Sequence, residues 1–262
     1  MSIFFKIMVW MCLMCTLVLA ETVNDPCAGF LNIANRPSSI DSTCVVPLQK
    51  FVVELNYQSQ QLSNHSGLQQ NGPDALLRLG LPAKNEFFLI LPNYISQSNA
   101  IGSGFTQIFA GLKHQFQTWG NGLFAAEEVV NLPDGSSAYG SQGYGAAFNG
   151  IISYTLNAKW NASFMLGAST ATAPKLAGGK RFNSVNPDFV LSYSPTEKIT
   201  LYSELYGQSK TGARQSSGFI VDAGVSYLIK PNLVINGSVG QRINGYLGGF
   251  AHYFGTGISV ML

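Results

Sequence analysis

Residues 218–262 read GFIVDAGVSYLIKPNLVINGSVGQRINGYLGGFAHYFGTGISVML, and this stretch decides the fold. In three consecutive segments, apolar residues occupy every second position, and Gly, Ser, Asn or Asp lie between them. An alternation with period two predicts β-strands that have one apolar and one polar face. Residues 230–232 predict a short turn after the first strand, and Asn244-Gly245 predicts a loop before the third.

The composition helps to decide which face meets lipid and which meets water. Charged residues make up 11% of the chain, whereas a soluble domain carries roughly 25%. The polar face consists of Gly, Ser, Asn and Thr rather than Lys and Glu, and an open sheet with so few charges would aggregate. We therefore expect an outer-membrane barrel with its apolar face toward lipid. A soluble β-sandwich or barrel is the alternative.

The alternation begins at Leu48 and continues to the end of the chain. We predict an all-β protein, a transmembrane antiparallel up-and-down β-barrel of about 12 strands over residues 48–262. Connections after even-numbered strands are short, and most of those after odd-numbered strands are longer, such as Ser59–Pro73 and Ala171–Val185. This asymmetry is typical of bacterial outer-membrane barrels. It predicts that both chain ends lie in the periplasm. The predicted strands are 48–58, 74–81, 86–94, 104–116, 123–132, 142–156, 160–170, 186–193, 198–207, 218–229, 232–243 and 250–262.

The first 20 residues predict a cleaved signal peptide. An uncharged apolar run of 14 residues, Ile7–Ala20, follows Lys6, and it is too short to cross a bilayer as a helix, which takes about 20 residues. Small or compact residues before Glu21 suit a signal peptidase. We expect export to the bacterial outer membrane, with an uncleaved membrane anchor as the alternative. Without Lys6 the net charge is close to zero, so nothing predicts a nucleic-acid partner.

Residues 21–47 predict a separate N-terminal segment, because they are rich in Pro, Asn and Ser and lack the strand alternation. This segment would lie in the periplasm or enter the lumen as a plug. Its two cysteines, Cys27 and Cys44, enclose 16 residues, and a disulfide is the simplest interpretation in an exported chain. A metal pair would lack the further Cys or His ligands that zinc needs, so we predict no metal and no cofactor.

Eight charged residues fall in phase with the small polar face of the predicted strands, as a barrel lumen requires, because a charge on the lipid face is costly. These residues have two interpretations. In the first, they form ion pairs and hydrogen bonds that fill and brace a narrow lumen. In the second, they form a mixed-sign constriction that selects permeants. These candidate lumen-lining residues are Glu54, Arg78, Glu86, Lys113, Asp188, Glu204, Asp222 and Arg242.

A hairpin near the N-terminus carries a family resemblance. LLRLGL at residues 76–81 and NEFFLILP at residues 85–92 resemble the LRxGLxxxxELxLxxP hairpin of outer-membrane proteins grouped as the phenol meta-degradation-pathway (MetA-pathway) or transporter family. Residues 104–116 and 189–201 are similar to later parts of that family. Phe87 replaces the Leu of the pattern, and the chain ends in Leu262 where many such barrels end in Phe. The resemblance implies a membrane barrel that takes up small, often aromatic or hydrophobic molecules, and not an enzyme.

These observations predict an outer-membrane channel or transporter whose partners are the lipid bilayer, a small-molecule permeant and the outer-membrane assembly machinery. A structural or surface-interaction barrel without transport is the first alternative. A membrane-embedded lipid hydrolase is a remote one, because it needs a nucleophile beside a base. None of His65, His114 and His252 occurs in a serine-containing pattern that indicates such a site.

Overall fold

A computed structural model of the protein describes residues 25–63, 67–98, 102–116 and 119–262. The predicted signal peptide, residues 1–20, lies outside the described residues. The described residues form one short helix, α1 (Phe30–Ile33), two 3₁₀ turns and fourteen strands. The strands are β1 (Phe51–Leu62), β2 (Leu68–Leu81), β3 (Asn85–Ile90), β4 (Tyr94–Gln97), β5 (Ser103–Phe105), β6 (Phe109–Gln115), β7 (Gly122–Asn131), β8 (Gly145–Asn157), β9 (Trp160–Thr172), β10 (Arg181–Thr196), β11 (Ile199–Gln208), β12 (Gly218–Lys230), β13 (Leu233–Asn244) and β14 (Phe250–Met261).

The strands close into a 12-stranded antiparallel barrel, which confirms the predicted fold class. From β6 to β14 each strand pairs with the next, β3 pairs with β2 and β6, and β1 closes the barrel by pairing with both β14 and β2. The fourteen segments make twelve barrel strands because β3 with β4, and β5 with β6, are halves of the third and fourth predicted strands.

The third and fourth strands are interrupted where Pro92 cannot donate a backbone hydrogen bond. Side chains take over the lost ladder bonds. The Asn93 N–H donates to Thr106 Oγ1 over 2.8 Å, and the Ile108 N–H donates to Asp134 Oδ1 over 3.0 Å. The outer halves, β4 and β5, therefore form a small hairpin on the end of β2 while β3 and β6 remain in the barrel wall.

Alternate residues of the barrel strands face outward and inward as the sequence pattern predicts. On β11 and β12, the outward side chains of Leu201, Leu205 and Val225 are exposed, while inward Glu204 and Asp222 are buried. Because the outward side chains are apolar, this face suits lipid. Outward rings meet near the short turns, where Trp160 and Tyr193 have centroids 4.7 Å apart, and Phe116 stacks on Phe124. Among the residues that the structure describes, no helix is long and apolar enough to cross a membrane.

The predicted lengths of two long loops are wrong, because the flanking strands extend into both of them. β1 continues to Leu62 and β2 begins at Leu68, so most of Ser59–Pro73 is strand. The added residues are Gln, Asn and Ser, and they pair across strands through side chains, as when Gln69 Nε2 donates to Gln60 Oε1 over 2.8 Å. The loop predicted at Ala171–Val185 shrinks to residues 173–180 for the same reason, because β9 and β10 remain paired beyond the apolar band. Hydrophobic alternation could not reveal these polar extensions.

Candidate functional site: the barrel lumen

The lumen holds the N-terminal segment, of which the structure describes residues 25–47. Its apolar side chains Phe30, Ile33 and Val46 are buried in one cluster with inward-facing Val52 and Leu123 of the barrel. The predicted disulfide is confirmed: Cys27 and Cys44 are bonded, with their Cα atoms 5.5 Å apart. The bridge closes the part of the segment that contains α1. This packing replaces water-filled space on one side of the lumen with an apolar core.

Arg78 joins the barrel to the N-terminal segment. Its side chain is fully buried, and its Nε and Nη2 donate to the two oxygens of Glu86 over 2.8 and 2.9 Å. Nη1 donates to Glu54 Oε1 over 2.9 Å and to the carbonyl of Ile33, and Nη2 donates to the carbonyl of Cys44 over 3.3 Å. A guanidinium offers five donors in a fixed fork. Here it binds two carboxylates of the wall and two carbonyls of the segment.

The two carboxylates beside Arg78 also bind the segment. Glu54 accepts from the backbone N–H groups of Asn35 and Arg36 over 3.0–3.2 Å, and Glu86 Oε2 accepts from the Val46 N–H over 2.7 Å. Each carboxylate therefore has both a guanidinium and backbone donors. Because these bonds are charge-assisted and lie away from water, they are stronger than ordinary neutral hydrogen bonds.

Lys113 completes this side of the lumen. Its Nζ is 3.7 Å from Glu86 Oε1 and donates to the Ser42 carbonyl over 3.1 Å. We call Glu54, Arg78, Glu86 and Lys113 the paired wall. On this wall every cation has a carboxylate partner, and all four side chains bind the N-terminal segment. The bracing interpretation therefore describes these residues.

The segment also contacts the far side of the lumen, where Thr43 Oγ1 donates to Ser153 Oγ of β8 over 3.2 Å. Glu204 accepts hydrogen bonds from the N–H groups of Ser39 and Ile40 over 2.8–3.0 Å. The Ile40 side chain is buried with Ile151, Val190 and Tyr202. The segment thus spans the lumen from the paired wall to β11, and the Ile40 side chain packs against β8, β10 and β11.

Asp188 and Asp222 also face inward and are almost fully buried. Within the described part of the chain, neither carboxylate oxygen of Asp188 has a hydrogen-bond partner, and Asp222 Oδ1 has none. Asp222 Oδ2 accepts from the Tyr253 hydroxyl. We call Asp188, Glu204 and Asp222 the acidic wall.

Arg242 differs from the other seven predicted lumen residues. It is only half-buried and lies near the long-loop end of β13. Its Nη1 donates to Ser63 Oγ over 2.6 Å, and its guanidinium lies 5.3 Å from the centroid of the Tyr246 ring. Both contacts are at the rim, so the structure places Arg242 away from the constricted part of the lumen.

A cavity of about 400 Å³ lies between the N-terminal segment and strands β8–β12. Its lining near the short turns includes Thr155 and Lys159, and farther inside it includes Ser192, Ile40 and Tyr202. The cavity therefore leads from the short-turn end as far as Tyr202 on β11. We call it the vestibule.

The resemblance to the MetA-pathway family extends from the hairpin to most of the chain. The family model described as the MetA-pathway of phenol degradation matches residues 34–259. The chain belongs to this family. The match starts inside the N-terminal segment and reaches into all twelve barrel strands, ending two residues before β14 does, so the segment from residue 34 onward is part of what the family shares.

Solved structures show the same fold in outer-membrane channels. An outer membrane channel from Pseudomonas putida F1 is 11% identical to this member of the family, with a TM-score of 0.66, and the alignment covers 86% of this chain and 100% of that one. The KdgM porin, solved in complex with disordered oligogalacturonate, is 9% identical with a TM-score of 0.53 over 80% of this chain and 98% of its own. The barrel fold supports a place in the lipid bilayer of the outer membrane. No curated protein matches the sequence.

Sequence reasoning missed three residues of the lumen. Glu127 and Glu128 are adjacent, so the alternation alone does not say which of them faces inward; the structure buries Glu127 inward, where Asn149 Nδ2 donates to it over 2.7 Å. Gln115 accepts from the Val45 N–H over 3.2 Å. Gly80 faces inward where a Cβ would lie 2.0 Å from the Pro47 carbonyl oxygen. For Gly80 a signal existed, since it is two residues from Arg78 and therefore on the same face.

Proposed function

We propose that this protein is an outer-membrane channel for small molecules and that its N-terminal segment plugs the lumen. The observation that carries the proposal is that all four side chains of the paired wall bind backbone groups of residues 25–47. A barrel that only braced itself would satisfy such charges within its own wall. Instead, one segment receives bonds from both sides of the lumen. Similarity to solved channels supports the same function.

We also propose an orientation for the barrel in the membrane and a class of permeant. Both chain ends and the short turns face the periplasm, and the longer loops face outward. The vestibule then opens toward the periplasm. Small, aromatic or hydrophobic permeants are proposed because buried aromatic rings, including Phe88, Tyr202 and Tyr253, face the lumen and because the family resemblance implies such solutes.

The test is single-channel conductance of the refolded mature protein in a planar bilayer, before and after reduction of the Cys27–Cys44 bridge. We expect a small steady conductance that increases on reduction, because reduction frees the chain on both sides of α1. A Cys27→Ser/Cys44→Ser double variant is the matched control. It should already show the larger conductance and should not respond to the reductant.

Absence of conductance in both redox states, in protein whose folded band is heat-modifiable on a gel, would overturn the channel proposal and favour a structural or surface-interaction barrel. The hydrolase alternative receives no support from the two described histidines. His114 Nδ1 lies 2.9 Å from Asn85 Oδ1 and its ring packs edge-on against Phe116. His252 is exposed on β14, and neither makes a hydrogen bond to a serine within the described residues.

A further inference from the structure

The acidic wall is a row of like charges on three neighbouring strands. Glu204 on β11 is directly opposite Asp222 on β12, and Asp188 on β10 is opposite Tyr206, two residues beyond Glu204. Like charges placed directly opposite each other destabilise a sheet. The four ion pairs of the described residues involve Arg36, Arg78 and Lys113 and none of these three carboxylates. No cationic side chain of the described residues therefore lies within ion-pair distance of the acidic wall.

A second observation points to a missing partner. Tyr202 is only 7% exposed, yet its hydroxyl has no hydrogen-bond partner among the described residues. This hydroxyl is within electrostatic reach of Asp222 and Glu204. Buried polar groups are nearly always hydrogen-bonded, so a group that is not indicates a water or a ligand. Among the residues that the structure describes, Ser238 Oγ and the side-chain Nδ2 and Oδ1 of Asn236 also lack hydrogen-bond partners.

The aromatic rings of this region lie flat along the wall because glycines make room for them. A Cβ at Gly224 would lie 2.5 Å from the ring of Tyr202, and one at Gly240 would lie 2.1 Å from the ring of Tyr253. Two tyrosine rings thus border the carboxylates. Carboxylates combined with aromatic faces are the chemistry that binds organic cations, through ion pairing and the ring quadrupole.

We propose that the acidic wall, together with Tyr202 and Tyr253, binds an organic ammonium group of the permeant. The inference deepens the proposed channel function and rests on it, since it names the charge of the molecule that the lumen accepts. A bound metal ion fits the site poorly, because no group of three or more metal-ligating side chains in the described residues could hold one. A larger ammonium ion can instead approach several separated carboxylates and contact the rings.

The vestibule provides the path to this site. It leads between the N-terminal segment and the wall as far as Tyr202, and Ile40 packs against Tyr202 and Val190 at its inner end. An aromatic amine entering the vestibule therefore meets Ile40 and the ring of Tyr202, and Glu204 lies two residues beyond Tyr202 on the same face of β11. Truncating Ile40 widens this passage without removing a charge from the wall.

The test measures equilibrium binding of benzylammonium to the refolded, disulfide-bonded protein in detergent by dialysis. Benzyl alcohol and benzoate serve as the neutral and anionic counterparts of similar size. We expect saturable binding of benzylammonium and none of benzoate. Close charge pairs in desolvated sites contribute at least about 1.5 kcal/mol, which corresponds to about a tenfold change in affinity. Asp188→Asn should therefore weaken binding by about tenfold or more, and it changes a carboxylate whose oxygens have no hydrogen-bond partner among the described residues.

Glu197→Gln is the matched control, because it removes the same charge from an exposed turn residue at the short-turn end. Its affinity should equal that of the parent. The inference is overturned if benzylammonium and benzyl alcohol bind alike, if Asp188→Asn binds as the parent does, or if no binding occurs even in Ile40→Ala. Binding without conductance would overturn the channel function only, whereas a conducting protein that binds no benzylammonium would overturn this inference only.

Discussion

Replacing Arg78 with Met should loosen the N-terminal segment while leaving the barrel folded. Methionine fills similar space but donates no hydrogen bonds, so the segment loses the bonds at the Ile33 and Cys44 carbonyls. A hydrogen bond to a charged group contributes about 1.5–3 kcal/mol. Loss of two such bonds therefore destabilises docking of the segment by at least about 3 kcal/mol, which is a factor of more than about 100 in its opening equilibrium.

Hydrogen–deuterium exchange is the direct assay, since local opening controls exchange of protected amides. The amides of Asn35, Ser39 and Val46 donate to wall carboxylates, and their exchange should accelerate by about 100-fold in Arg78→Met. Arg242→Met is the matched control, because Arg242 bonds Ser63 at the rim. Exchange within threefold of the parent protein, in a barrel that still shows a heat-modifiable band, would refute this account of how the segment is held.

Two further changes probe the close approach to Gly80 and the lipid-facing surface. Gly80→Val should displace the segment and raise conductance, because a Cβ there would lie 2.0 Å from the Pro47 carbonyl oxygen; conductance equal to that of the parent would contradict this packing. Val225→Arg should lower the stability of the barrel in vesicles by about 2–4 kcal/mol in urea titrations, the cost of a cation at mid-membrane depth. The control Ile243→Arg, near the long-loop end of β13, should cost at most about 1 kcal/mol, and equal effects at the two positions would contradict the proposed membrane placement.

The number of strands and their two faces could be predicted because alternation is a local property of the chain. Seven of the eight candidate charges are buried on the inward face, as the phase of the alternation requires. Arg242 has the right phase but lies too close to the end of β13 to be enclosed. Phase identifies the face of a strand and not the depth along it. The ends of β1 and β2 were missed for a related reason, since their polar residues give no hydrophobic signal beyond the apolar band of the strands.

Partners in the lumen could not be predicted from sequence. Glu204 binds the N–H groups of Ser39 and Ile40, which are 165 and 164 residues away along the chain. Every residue except proline offers a backbone N–H and a carbonyl, so no side-chain pattern marks which of them will bind a charge. The cysteines constrain the segment to a loop but do not say that the loop enters the barrel.

The two interpretations of the lumen charges, bracing and selection, apply to different walls. Around Arg78 each charge has an ionic partner and further donors or acceptors from the N-terminal segment, so truncating any one leaves another buried and unpaired, which is strongly destabilising. Around Asp188 the oxygens have no partners within the described residues, so neutralising that carboxyl should stabilise the fold or leave it unchanged. A residue whose removal does not harm the fold but abolishes ligand binding is a functional residue, and a stability measurement on Asp188→Asn and Arg78→Met separates the two roles.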